Sequence, residues 1–205
     1  MKKNLILSVF LCFYFLGLNA QQIKTANKYE FIKPEDIKYS YTQVKRIYKN
    51  VEKNIPIFNF DTTKQSPNLF ETIFKAVQNE QIKCYATGEF EEQITIEKIK
   101  EKMDFLTDTE KSLKSNRDFD LICQNEIHSY LVKELFIYGA GNKLIQRRTI
   151  GIAPIRKYYS SYPSFRVLFW IFYPDIADIL AQTGTLDEIF YKQAYQAETL
   201  CMLQK

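Results

Sequence analysis

Apolar positions along the chain fall into runs of differing period. From residue 37 they recur at Ile37, Tyr41, Val44, Ile47, Tyr48 and Val51, steps of three and four that predict an amphipathic helix ended by Pro56. Ser66 and Pro67 read as the cap and first turn of a second helix, whose stripe is Leu69, Phe70, Ile73, Phe74 and Val77. Residues 82–86 predict a short strand closed by Thr87-Gly88, and Thr95 caps a short helix carrying Ile96, Ile99 and Met103. The polar stretch 104–120 predicts a loop or a frayed helical extension.

The second half changes period. Residues 127–138 and 143–155 are strand-like runs on either side of Gly139-Ala140-Gly141-Asn142, which predicts a hairpin. Residues 166–173 are apolar on both faces and predict a covered, central strand. Pro174 and Asp175 open a short helix that Gly184 ends. Thr185 to Glu188 form a capping box for a last helix with Ile189, Phe190, Ala194 and Tyr195 on one side. The expected fold is α+β: an antiparallel sheet, hairpin plus central strand, packed with N- and C-terminal helices in a single domain over 36–205. Within the hairpin, Thr149, Gly151 and Ala153 read as one small face, open to close packing, and Ile150 and Ile152 as the other, with Pro154 ending the pairing.

The N-terminus bears on location. Lys2 and Lys3 precede an apolar run from Leu5 to Leu18 and the small site Leu18-Asn19-Ala20. Residues 1–20 thus predict a cleavable signal peptide, cut after Ala20, because the run is short of the roughly 20 residues of a membrane span. Cys12 lacks the small residues a lipid anchor would need before it. Residues 21–35 are polar and are expected to be mobile at the new N-terminus. Loss of the leader removes two lysines and no acid, so the net charge falls from +4 to +2. Near-neutrality gives no case for nucleic acid. Cys84, Cys123 and Cys201 remain, an odd, widely spaced set that forms neither a disulfide framework nor a zinc pattern.

Catalytic signatures do not emerge. His128 is the single histidine, which rules out a histidine metal cluster. The GAGN turn lacks the third glycine and the following helix of a dinucleotide loop. The pairs Glu91–Glu92 and Asp118–Asp120 lie in polar stretches where acids are solvated. No nucleophile elbow and no H-E-x-x-H occurs. No enzyme, cofactor or metal is expected. Aromatic residues make up 15% of the chain, with tyrosines at positions 39, 41, 158, 159 and 162 placed to meet a protein partner. Arg147, Arg148, Arg156, Tyr158 and Tyr159 are the expected partner-contact residues, being of the types that dominate interface hot spots.

The order of these runs resembles one known family. Residues 127–159, "IHSYLVKELFIYGAGNKLIQRRTIGIAPIRKYY", followed by "LFWIFYP", are similar to the gliding-motility GldN family and its PorN relatives. The matching residues are Tyr130 and Lys133, Arg148 to Pro154, and Phe169 to Pro174. "YTQVKRIYKNVEKNIPIF", "NLFETIFKAVQNEQIKCYA" and "TLDEIFYKQAY" resemble its flanking segments. Leu186 stands where the family usually has tryptophan, and Asn79-Glu80-Gln81 lacks the usual glycine. The resemblance implies a periplasmic, non-enzymatic subunit of the type IX secretion and gliding machinery. It implies a ring built with a GldK/PorK-like outer-membrane lipoprotein, with GldM-like periplasmic domains as further partners. The alternatives are a free periplasmic module that binds a peptide or small ligand over the Gly151/Ala153 face, and an envelope enzyme using His128 and a cysteine.

Overall fold

The structure is a computed structural model that describes residues 29–59, 67–103, 126–158, 164–182 and 186–204. Residues 1–20, expected to be a signal peptide, most of the expected N-terminal segment, Ser66, residues 104–120, Cys123, Gly184 and Tyr159 lie outside them. The fold is α+β, and its sheet has eight strands, all paired antiparallel. In chain order these are β1 (Tyr39–Tyr48), β2 (Cys84–Tyr85), β3 (Gln93–Ile94), β4 (Ile127–Tyr138), β5 (Leu144–Tyr158), β6 (Ser164–Val167), β7 (Trp170–Phe172) and β8 (Ala197–Gln204). The spatial order is β3-β2-β7-β5-β4-β1-β8, with β6 continuing along β5 beyond β7. The helices are α1 (Ile55–Phe58), α2 (Leu69–Gln78), α3 (Ile96–Met103), α4 (Tyr173–Gln182) and α5 (Leu186–Tyr191).

The predicted hairpin is the β4–β5 pair at the centre of the sheet. Gly141, at φ 67, supplies the left-handed turn that a residue with a Cβ adopts only with strain. Helix α2 also forms, and its stripe Leu69, Phe70, Ile73, Phe74 and Val77 is buried. Its cap is Asn68, whose side chain accepts from Glu71 N at 2.9 Å. The core gathers Ile47, Tyr130, Val132, Ile152 and Ile171 of the sheet against Leu69, Ile73, Ile176, Leu180 and Phe190 of the helices.

The predicted first helix over 37–51 is instead strand β1, paired with β4 from Tyr39↔Tyr138 to Tyr48↔Ser129. Its inward face holds Gln43, Lys45 and Ile47, and the two polar residues find partners in Thr199 and Glu134. Buried polar side chains thus hide the period of two, and the aromatic and β-branched content of YSYTQVKRIY decides for strand. The last helix also stops early. At Gln193 the backbone turns to φ 49, Ala194 N bonds back to Ile189 O, and the chain leaves as β8, an unforeseen strand along β1. β1 thus lies within the sheet and β8 at its edge, while the shortened helix α5 still packs on the core through Leu186 and Phe190.

Two further corrections concern β5. Residues 166–173 are not one central strand: Leu168 and Phe169, both fully buried, break them into β6 and β7. Pro154 does not end the pairing, because β5 runs on to Tyr158 against β4 and β6. Its carbonyl accepts from Leu168 N, so its nitrogen points to the gap between β6 and β7, where no N–H is required. Thr149 and Gly151 also lie on opposite faces. Gly151 pairs with Lys133 and Thr149 with Glu134, so Ile150 is an extra, bulged residue.

Candidate interaction surfaces

The bulge at Ile150 creates a buried charge centre. It turns Thr149 towards α5, where its hydroxyl donates to Phe190 O at 3.0 Å. Its partner Glu134 is wholly buried and accepts from Arg147 Nη2 and from the Tyr195 hydroxyl, while Lys45 Nζ lies 2.9 Å from its other oxygen. Burial, then the adjacent carboxylate, pushes the Tyr195 phenol well above its ordinary range, so it remains a hydrogen-bond donor. The groups here hold the sheet to α5.

On the other side of the bulge, Gly151 receives the Phe90 ring. A Cβ at this position would lie 2.5 Å from Phe90 Cζ and 3.4 Å from Trp170. Phe90, itself at φ 61, meets Tyr85, Trp170 and Phe172 edge-on. Lys133 lies under the same ring and donates to Gly88 O at 2.8 Å and Glu89 at 2.9 Å. The glycine admits a neighbour, as expected, but that neighbour is the chain's own loop, and it fills the space proposed for a ligand.

The expected contact residues that the structure describes have internal partners. Arg147 serves Glu134. Arg148 spans the N-terminal segment, donating to Glu30 O at 2.9 Å and covering the Tyr29 ring. Arg156, 4% exposed, pairs with Glu126 and stacks on Tyr158, whose hydroxyl donates to Lys102 O. The side chains that shape the surface were not visible as such in the sequence. Glu134 had no signal, since a lone acid in a strand is ordinarily solvated.

His128 stands beside Ser129, between Tyr48 and Phe165. Burial lowers its pKa, and Arg46 and Lys157 lower it further. Cys84 is a buried free thiol, pushed up to about 12 by desolvation. No group of three or more His, Cys, Asp or Glu able to hold a metal occurs among the described residues, and no helix among them is long and apolar enough to cross a membrane.

The two ends of the long strands differ. At the hairpin end, Tyr39 stacks on Tyr138, Tyr138 on Tyr41, and Tyr41 on Phe136, with centroids 4.9, 5.8 and 5.0 Å apart. Arg147 and Lys45 cap the column over Phe136 before reaching Glu134. Beside it, Phe31, Ile37, Gly139 and Ile145 line an open cleft of about 820 Å³ with Glu30, Glu35 and Asp36. At the opposite end, Arg46 lies over both Tyr48 and Phe165 and donates to Ser129 Oγ at 2.9 Å.

A family model described as "Gliding motility associated protein GldN" matches residues 32–204, which is most of the chain. No protein of curated function matches it. The chain belongs to the GldN family, a gliding-motility family.

Proposed function

We propose that this member of the GldN family is a non-enzymatic structural subunit of the type IX secretion and gliding machinery. It works in the periplasm, where a signal peptide over residues 1–20 delivers it, and assembles into a ring with a GldK/PorK-like outer-membrane lipoprotein. The observation that carries this reading is the family match over 32–204. The fold supports it: the chain's long sheet ends in surfaces rich in exposed aromatic and charged side chains, and the Gly151 face is filled by Phe90. Partner contacts are assigned to the segment from Arg147 to Tyr159, where Arg156 and Tyr158 brace the β5–β6 edge from inside.

The test is capture from the native envelope. A tagged chain, solubilised in mild detergent, should bring down a GldK-like lipoprotein in near-equal amount, and deleting the gene should abolish gliding or type IX export. Capture without the lipoprotein, together with normal export in the deletion strain, would overturn the reading.

A further inference from the structure

Among the described residues eight large apolar side chains stand exposed, and five of them crowd the hairpin end of the sheet: Phe31, Ile37, Tyr39, Leu144 and Ile145. Phe31 is 85% exposed. A concentration of this kind marks an interaction site rather than the ordinary scatter of surface apolar residues. The adjoining cleft carries the carboxylates of Glu30, Glu35 and Asp36 against two ammonium groups, Lys143 and Lys38, of which Lys38 is held by Asn142 at 3.0 Å.

The other end of the same strands has the complementary character. Phe165 is 45% exposed beneath Arg46, next to Lys157, its register partner on β5. His128 sits in the same setting, its ring against Phe165 and Tyr48, with Arg46 over both of those rings. Two acids at this end have partners of their own, Glu126 in Arg156 and Glu198 in the Tyr48 hydroxyl. The two ends are separated by the length of β1, ten residues or about 30 Å.

We propose that the acidic, apolar hairpin end of one copy docks on the basic, aromatic β6 end of the next. The contact is heterologous, since the two surfaces differ, so it repeats from copy to copy rather than closing as a dimer. Phe31 is the apolar anchor, and Arg46 meets the cleft carboxylates. This rests on reading the chain as an assembly subunit, and it names which surfaces join copies.

The experiment uses the full-length mature chain with two variants, Phe31→Glu at one end and Phe165→Glu at the other. Sedimentation velocity should show salt-sensitive association of the wild type beyond the dimer, weakened at least about tenfold by either change. Mixed together, the two variants should form dimers and stop, because each retains one live surface. A photo-crosslinker at position 31 should label peptides around Phe165. Crosslinks to position 31 of another copy, pairing through β8 edges, or undiminished association of both variants would overturn the proposal. Both variants should still capture the lipoprotein. Loss of lipoprotein with intact self-association would refute these surfaces while leaving the ring-subunit reading standing, whereas absence of lipoprotein from the wild type would refute that reading itself. Circular dichroism and a matched unfolding midpoint confirm that each variant folds.

Discussion

At the residue scale the strongest dependence falls on Glu134. It is one wholly buried carboxylate serving two cations and a phenol. Replacing it with glutamine leaves Arg147 and Lys45 without their counter-charge, and Glu134→Gln should lower unfolding free energy by about 3 kcal/mol, read from urea denaturation. Gly151→Ala tests the ring packed upon it. The new methyl would meet Phe90 Cζ at 2.5 Å, so a loss of about 1–3 kcal/mol is expected, largely recovered by adding Phe90→Leu. His128 adds a pH dependence. Its folded pKa lies below the ordinary value of about 6.5, so below that pH the unfolded state binds the proton first. Stability from this group is complete above pH ~6.5 and is lost as pH falls through the lowered folded pKa. His128→Asn should flatten that part of a melting-temperature profile.

At the element scale, Asn54 does the work of a clasp. Its amide donates to Tyr48 O at 3.0 Å and Gln196 O at 2.8 Å, and its oxygen accepts from Gln196 N at 2.9 Å. It thus ties the exit of β1 to the entry of β8. Asn54→Ala leaves three part-buried backbone groups short and should cost about 1–2 kcal/mol, with the earliest amide-exchange losses in β8. The elements that could be read from the sequence are those whose neighbours are apolar. Helix α2 and the hairpin strands show their periods because Ile73, Phe74, Val132 and Ile152 face other hydrocarbon. Strand β1 was misread because Gln43 and Lys45 occupy inward positions, and their partners Thr199 and Glu134 lie far away along the chain. Strand β8 was missed because a residue other than glycine, Gln193, makes the turn. The contact residues suffered in a similar way: Arg156 reads as surface, yet Glu126 draws it inside.

At the scale of the whole molecule, one edge of the sheet is completed by its latest-made strand. β1, near the N-terminus, sits between β4 and the C-terminal β8, so its two ladders join segments about 90 and 150 residues apart. Without β8, the edge of β1 is bare over Tyr41 to Ile47, an open template for another chain. Truncation after Gln196 should therefore shift the protein from the soluble fraction to aggregates, measured by light scattering of the refolded chain. The family and the α+β class were legible from the order of the motifs, whereas the completion of that edge was not, since it depends on pairings between the two ends of the chain.

The direction of the central strands has a mechanical meaning. β1, β4 and β5 run from the hairpin turn to the β6 end without interruption by a helix. A force applied between these two ends acts along the strands, so it must slide β1, β4 and β5 past one another and load all their cross-strand hydrogen bonds together. A force across the sheet would open the same bonds one at a time. Pulled between its ends, this subunit resists as a tie rod does, and pulled across its edges it opens like a zip.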